Sequence, residues 1–194
     1  LWGQTASGGA MGLFRKRKDR HGGEQSSGQG RVKDERVAAL LATYDPNAEL
    51  TADDAAELGA KIRAIHDSNP DGGAFDGLYP MLRRLEQEAG SVRGRHYTEW
   101  VPKLDELRSS GDDDAALALL LECIDAAERA ARVAGMEPAP GYTKRAAVIY
   151  RRRKDYASEI QVMERWEAAA PPRYKGAMKE RLAAARKLQE KHQG

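Results

Sequence analysis

The sequence is poor in the features that mark most enzymes and metal proteins. A single cysteine, Cys123, occurs among 194 residues, so no intramolecular disulfide can form. No phosphate-cradling glycine-rich loop, G-x-S-x-G elbow or H-E-x-x-H motif is present. The four histidines are scattered, without carboxylates or cysteines at metal-ligand spacing. We therefore expect a protein that is not an enzyme and that holds neither a cofactor nor a metal, with Cys123 as a small core residue.

Long apolar runs are missing as well. No segment is apolar enough to cross a membrane, and no signal-peptide core is visible. These absences predict a cytoplasmic protein without a membrane partner. Residues 1–32 are rich in glycine, serine, glutamine and basic residues, which predicts a disordered basic tail because little burial could offset the cost of ordering it. Met11 is the expected native start, with residues 1–10 upstream of it.

The rest of the chain favours an all-α fold. Aromatic residues make up 6% of the sequence and charged residues 32%, and no stretch shows the alternation of β-branched and aromatic residues that marks a strand. Residues 33–92 predict about three N-terminal helices. The first covers Lys33–Thr43, the second starts at the cap residue Thr51, and the third carries Leu78 and Leu85 after a break at 69–73.

Residues 93–194 predict two helical hairpins and a final helix. The first hairpin turns at Ser109-Ser110-Gly111, with Asp112 or Asp113 capping a long helix that ends at Gly135. The second turns at Lys154-Asp155 and closes at Pro171-Pro172. The final helix, predicted over 174–191, has a cationic outer face and suits the role of a cap on a helical array.

Several residues of the two hairpins resemble the tetratricopeptide repeat family. Trp100, Gly111-Asp112 and Ala116 match its pattern in the first unit. Tyr150, Asp155-Tyr156 and Pro171 match later landmarks in the second. Lys154 stands where that family has a turn glycine and Glu159 where it has a small packing residue. The two turns lie 43 residues apart, against about 34 in the standard repeat.

This resemblance implies stacked antiparallel hairpins in a short array, with extra helices before them. It also implies a scaffold or interaction module that offers a groove to a peptide or protein. On that reading the groove uses exposed positions on the first helix of each unit, such as Tyr142, Arg145 and Arg152.

Charge is unevenly distributed along the chain. The net charge is +2 overall, but +5 for residues 1–33, −11 for 34–140 and +8 for 141–194. Such a distribution favours an anionic partner for the C-terminal part, or association between copies through opposite charges. The candidate partner-binding residues, which combine the groove positions with the basic cluster, are Tyr142, Arg145, Arg151, Arg152, Arg153, Lys154, Arg173 and Lys175.

Two functional hypotheses follow from these residues. The first is a non-catalytic scaffold that binds a protein or peptide. The second is an accessory protein that binds nucleic acid through the C-terminal basic face and the basic tail, with an affinity that falls steeply with salt.

Overall fold

The computed structural model describes residues 39–40, 42–43, 50–68 and 78–193. By its contacts the chain divides into two parts, Leu1–Arg31 and Val32–Gly194, and every described residue lies in the second part. The helices with described bounds are α1 (Ala52–Asp67), α2 (Leu78–Ala89), α3 (Val101–Ser110), α4 (Asp113–Ala134), α5 (Pro140–Arg152), α6 (Tyr156–Ala169) and α7 (Lys179–Gln193). The all-α prediction is confirmed.

Helix boundaries follow the capping residues of the sequence. Thr51 Oγ1 accepts a hydrogen bond from the Asp54 backbone N–H at 3.1 Å and so caps α1. Asp112 caps α4, since its carboxylate accepts from the Ala115 N–H at 3.1 Å. Gly111 and Gly135 end α3 and α4 in the left-handed conformation, with φ values of 74° and 65°, as glycine at these positions predicts.

From α3 onward, each helix packs against the next in the chain. The large core between these helices contains Trp166, Met163 and Leu120, which are almost completely buried. The Trp166 indole N–H donates to the Pro138 carbonyl at 2.8 Å, so the loop between α4 and α5 is held to α6. These contacts form two consecutive helical hairpins, α3–α4 and α5–α6, with α7 packed on α6.

The N-terminal helices α1 and α2 pack on the C-terminal half of α4. Leu58, Ile62, Leu85 and Val133 belong to one buried cluster. At Gly59 a side chain would collide with the Val133 carbonyl, so this glycine allows close approach of α1 to α4. The Arg63 guanidinium donates to the same carbonyl.

A short β-hairpin joins α2 to the first unit. Strand β1 (Ser91–Val92) pairs antiparallel with β2 (Arg95–His96), in the register Ser91 to His96 and Val92 to Arg95. Arg93 and Gly94 between them have positive φ, the conformation of a tight primed turn. The sequence does not predict this hairpin, because two-residue strands are too short to show alternation. A 3₁₀-helix (Tyr97–Trp100) then leads into α3.

The predicted start of the last helix is wrong by five residues. A 3₁₀-helix (Pro172–Tyr174) and a turn precede α7, and Gly176 has a φ of 93°. The Glu167 carboxylate accepts from the N–H groups of Gly176 and Met178, each at 2.7 Å, and thereby fixes this turn. Ala177, in this turn, is exposed.

The predictions for residues 1–38, including the basic tail and the start of the first helix, lie outside the described residues. So does the break at 69–73. Residues 39–40 and 42–43 are helical, in agreement with the predicted first helix.

Candidate functional site: a basic groove on helices α3, α4, α5 and α7

A groove of about 240 Å³ opens where α3, the N-terminal part of α4, and α5 meet, with one side chain from α7 at its edge. Its apolar side chains, which we call the apolar floor, are Leu104, Ala116, Leu120, Val148 and Ile149. Four of them are buried, whereas Val148 is 44% exposed. Large apolar side chains with that exposure are uncommon among the described residues, and in this position Val148 is available to a binding partner.

Cationic side chains surround the apolar floor. The groove is lined by five of them, Arg108, Lys144, Arg145, Arg152 and Arg181, and by one carboxylate, that of Asp113. We call this site, floor and cations together, the basic groove. Its chemistry suits a ligand that carries both negative charge and at least one apolar group.

Two of the five cations are already paired. Arg145 forms an ion pair with Asp105 at 3.0 Å, and Arg152 with Asp113 at 2.6 Å. Arg108, Lys144 and Arg181 have no carboxylate partner among the described residues. The Arg181 Nε is moreover buried, with no hydrogen-bond partner in the described ranges. These three side chains can therefore form ion pairs with a ligand without first breaking one inside the protein.

The run of basic residues at the end of α5 does not form a free basic patch. Arg151 pairs with the fully buried Glu159 at 2.7 Å, and Arg153 pairs with Asp114 at 2.7 Å. Together with the Arg152–Asp113 pair, these contacts link the end of α5 to α4 and α6. The arginines are thus used within the fold, and only Lys154 of the run has no ion-pair partner among the residues that the structure describes.

Arg173 and Lys175 lie far from that run. Arg173 donates to the Gly135 carbonyl at 3.2 Å, just beyond the C-terminal end of α4. The end of α5 contacts Asp113 at the opposite end of α4, and a helix of 22 residues is about 33 Å long. Of the eight predicted partner-binding residues, the basic groove brings together only Arg145 and Arg152.

Tyr142 is buried, contrary to the expectation of an exposed groove residue. Only 7% of it is accessible, and its hydroxyl donates to the Tyr97 carbonyl at 3.2 Å. Burial raises the pKa of Tyr142 to about 12. Its ring meets that of Tyr97 edge to face, at 5.5 Å between centroids. Tyr142 therefore links the second helical hairpin, from inside the core, to the segment that leads into the first.

The sequence interpretation missed Arg108, Val148 and Arg181 as groove residues. Arg108 could have been found from the repeat offset, since it lies 43 residues before Arg151 and so occupies the same position of its unit. Val148 and Arg181 carry no comparable signal, because their places in the groove depend on how α5 and α7 pack.

Other kinds of site find no support in the part of the chain described. No group of three or more histidine, cysteine, aspartate or glutamate side chains there could hold a metal ion. None of the helices there is both long and apolar enough to cross a membrane. The basic groove is smaller than the roughly 300–1,000 Å³ of ordinary small-molecule pockets, and its volume suits one or two side chains of a larger ligand. No protein-family model, curated protein or solved structure matches this chain.

Proposed function

We propose that this protein is a helical interaction module that binds an acidic segment of a protein partner in the basic groove. The observation that carries the proposal is the placement of three cations, Arg108, Lys144 and Arg181, around an apolar floor. None of the three has a carboxylate partner within the part of the chain that the structure describes. An extended or helical segment with two or three carboxylates and one large apolar side chain complements both features. The likeness of the hairpins to tetratricopeptide repeats supports the same class of function.

The apolar floor supplies affinity and the cations supply selectivity. Burying one phenylalanine or leucine side chain contributes about 1.5–3 kcal/mol. Charges at the rim of a groove mainly raise the association rate and reject partners of like charge. Because association itself costs several kcal/mol, a single short segment would bind weakly and a partner with further contacts more tightly.

Binding of nucleic acid through the C-terminal basic face has less support. Arg151, Arg152 and Arg153 are each paired with a carboxylate of the same chain, so phosphate contacts would have to displace those pairs. Lys175, Lys179, Lys187 and Lys191 remain exposed, but a row of lysines gives only salt-sensitive, non-specific attraction.

The proposal can be tested with a fluorescein-labelled octapeptide of sequence GDEFLDEG and fluorescence anisotropy on the full chain. We expect Lys144→Glu to weaken binding about tenfold, which corresponds to 1.4 kcal/mol, and Val148→Asp to weaken it further. Lys187→Glu is the matched control, since it makes the same charge change on the exposed face of α7. Equal affinities for the wild type and the Lys144→Glu variant would contradict the proposal.

The competing hypothesis is tested in the same assay with labelled duplex and single-stranded DNA at two salt concentrations. The comparison variant has Arg151, Arg152 and Arg153 changed to Ala. Salt-sensitive DNA binding that is lost in this variant, together with no peptide binding, would favour the nucleic-acid function.

A further inference from the structure

The segment between α1 and α2 has the composition that the basic groove would select. Residues 69–77 read Asn-Pro-Asp-Gly-Gly-Ala-Phe-Asp-Gly and lie outside the described residues. Phe75 stands between two carboxylates, Asp71 and Asp76, and the segment has no basic residue. It offers one large apolar side chain and two negative charges. These complement the apolar floor and the three cations that have no carboxylate partner among the described residues.

The helix that follows this segment, α2, begins near the C-terminal end of α4. Arg129 of α4 donates to the Ala89 carbonyl at the end of α2, at 3.0 Å. Leu85, one turn earlier in α2, shares a buried cluster with Val133, one turn later in α4. The two helices are therefore antiparallel, and the start of α2 at Leu78 lies toward or beyond the C-terminal end of α4.

Phe75 cannot reach the apolar floor of its own chain. Phe75 is three residues before Leu78, which limits the distance between them to about 10 Å. Leu120, the groove residue of α4 nearest to that end, is separated from Ala134 by about 21 Å of helix. Only another copy can bring Phe75 to the groove.

We propose that the basic groove of one copy binds residues 69–77 of a second copy, with Phe75 on the apolar floor and Asp71 and Asp76 facing Arg108, Lys144 and Arg181. This inference rests on the proposed function and names the partner as the same protein. Leu78, which follows the donor segment, and the acceptor groove lie toward opposite ends of α4. We therefore expect each copy to contact two different neighbours, head to tail. Assembly then grows with protein concentration and weakens with salt, because exposed charges contribute to each junction.

The test uses sedimentation velocity on the full chain and two half-blocked variants. The groove variant carries Lys144→Glu and Val148→Asp, and the segment variant carries Phe75→Ala and Asp76→Lys. We expect the wild type to form a series of oligomers and each variant alone to be monomeric. An equimolar mixture of the variants should form a one-to-one complex, because one intact groove and one intact segment remain. Lys187→Glu should behave as the wild type.

A labelled peptide of residues 69–77 provides a second measurement that does not depend on the folding of the variants. It should bind the wild type and bind the groove variant at least tenfold more weakly. A wild type that stays monomeric at all concentrations while GDEFLDEG binds the groove would overturn self-recognition and leave the proposed function standing. Oligomers that persist in the groove variant, with no binding of either peptide, would overturn both.

Discussion

The two helical hairpins, which form the first and second units, contain the same turn 43 residues apart. They differ at a position early in the helix that follows the turn. The Asp112 N–H donates to the Leu107 carbonyl at 3.0 Å, and the Asp155 N–H donates to that of Tyr150 at the same distance. Both aspartates then cap the next helix at 3.1 Å. Four residues after the aspartate, the first unit has Ala116 and the second has Glu159, which is 0% exposed.

This difference decides what the equivalent arginines do. Arg108 and Arg151 occupy the same position of their units, one turn before the loop. Arg151 pairs with Glu159 at 2.7 Å. Arg108 has no such partner in the described part of the chain, because Ala116 stands at the place of the glutamate, and it lines the basic groove. The difference between Ala116 and Glu159 thus determines that Arg151 has a structural role and that Arg108 is available for binding.

The largest expected effect comes from removing the arginine of the second unit. Arg151→Ala leaves the Glu159 carboxylate buried without its partner, which should lower the free energy of unfolding by about 3 kcal/mol. The equivalent Arg108→Ala change should alter it by less than about 0.5 kcal/mol, as for an ordinary surface residue. Denaturant unfolding of the two variants measures the contrast.

A double variant separates charge from packing at this site. Arg151→Leu combined with Glu159→Leu removes both charges, and we expect it to recover most of the stability, since apolar residues often replace a buried pair without loss. Equal destabilisation by Arg151→Ala and Arg108→Ala would show that the burial of Glu159 does not distinguish the units.

The next effect concerns Cys123, which occupies the place of Trp166 in the first unit and is fully buried. Burial raises the pKa of its thiol to about 11. Between about pH 9 and 11 the unfolded chain would release this proton while the folded chain keeps it. The free energy of unfolding should therefore fall as the pH rises, by about 2 kcal/mol over that range.

Comparison of the wild type with Cys123→Ala isolates this contribution from that of lysines and tyrosines. Below about pH 9 the difference in unfolding free energy between the two proteins should not depend on pH. Above it, the wild type should lose stability more steeply. Parallel curves up to pH 11 would show that the folded state does not suppress ionisation of the thiol.

The smallest effect tests the turns themselves. Lys154 adopts a φ of 58° where the first unit has Gly111 at 74°, and a side chain is strained there by about 1 kcal/mol. Lys154→Gly should stabilise the protein by about 0.5–1 kcal/mol, and Gly111→Lys should destabilise it by a similar amount. A Cβ at Gly111 would meet nothing within 4 Å, so the melting temperatures of both variants report backbone conformation alone.

The predictions from sequence succeeded where the signal was local. Thr51, Gly111, Asp112 and Gly135 mark helix ends because each acts on backbone groups within a few residues. The late start of α7 was missed, because Ala177 and Met178 continue the apolar pattern while the conformation of Gly176 interrupts the helix.

The candidate site was only partly predictable for a different reason. Arg152 and Arg153 looked like a free basic cluster, and their partners Asp113 and Asp114 lie 39 residues earlier in the chain. Nothing in the local sequence shows such long-range pairing. Tyrosine occurs both at protein surfaces and in cores, so the identity of Tyr142 does not predict its burial. That burial follows from the packing of α5 on α4.

Helix α4 belongs to both buried clusters, since Leu120 and Ile124 lie in the large core and Val133 in the smaller one with α1 and α2. If either cluster came apart, one face of α4 would be exposed to solvent, and the other cluster, which packs on the same helix, would be destabilised. The two cores should therefore unfold in one cooperative transition, with equal calorimetric and van't Hoff enthalpies. The backbone amides in the middle of α4 should then exchange with solvent only when the whole domain unfolds.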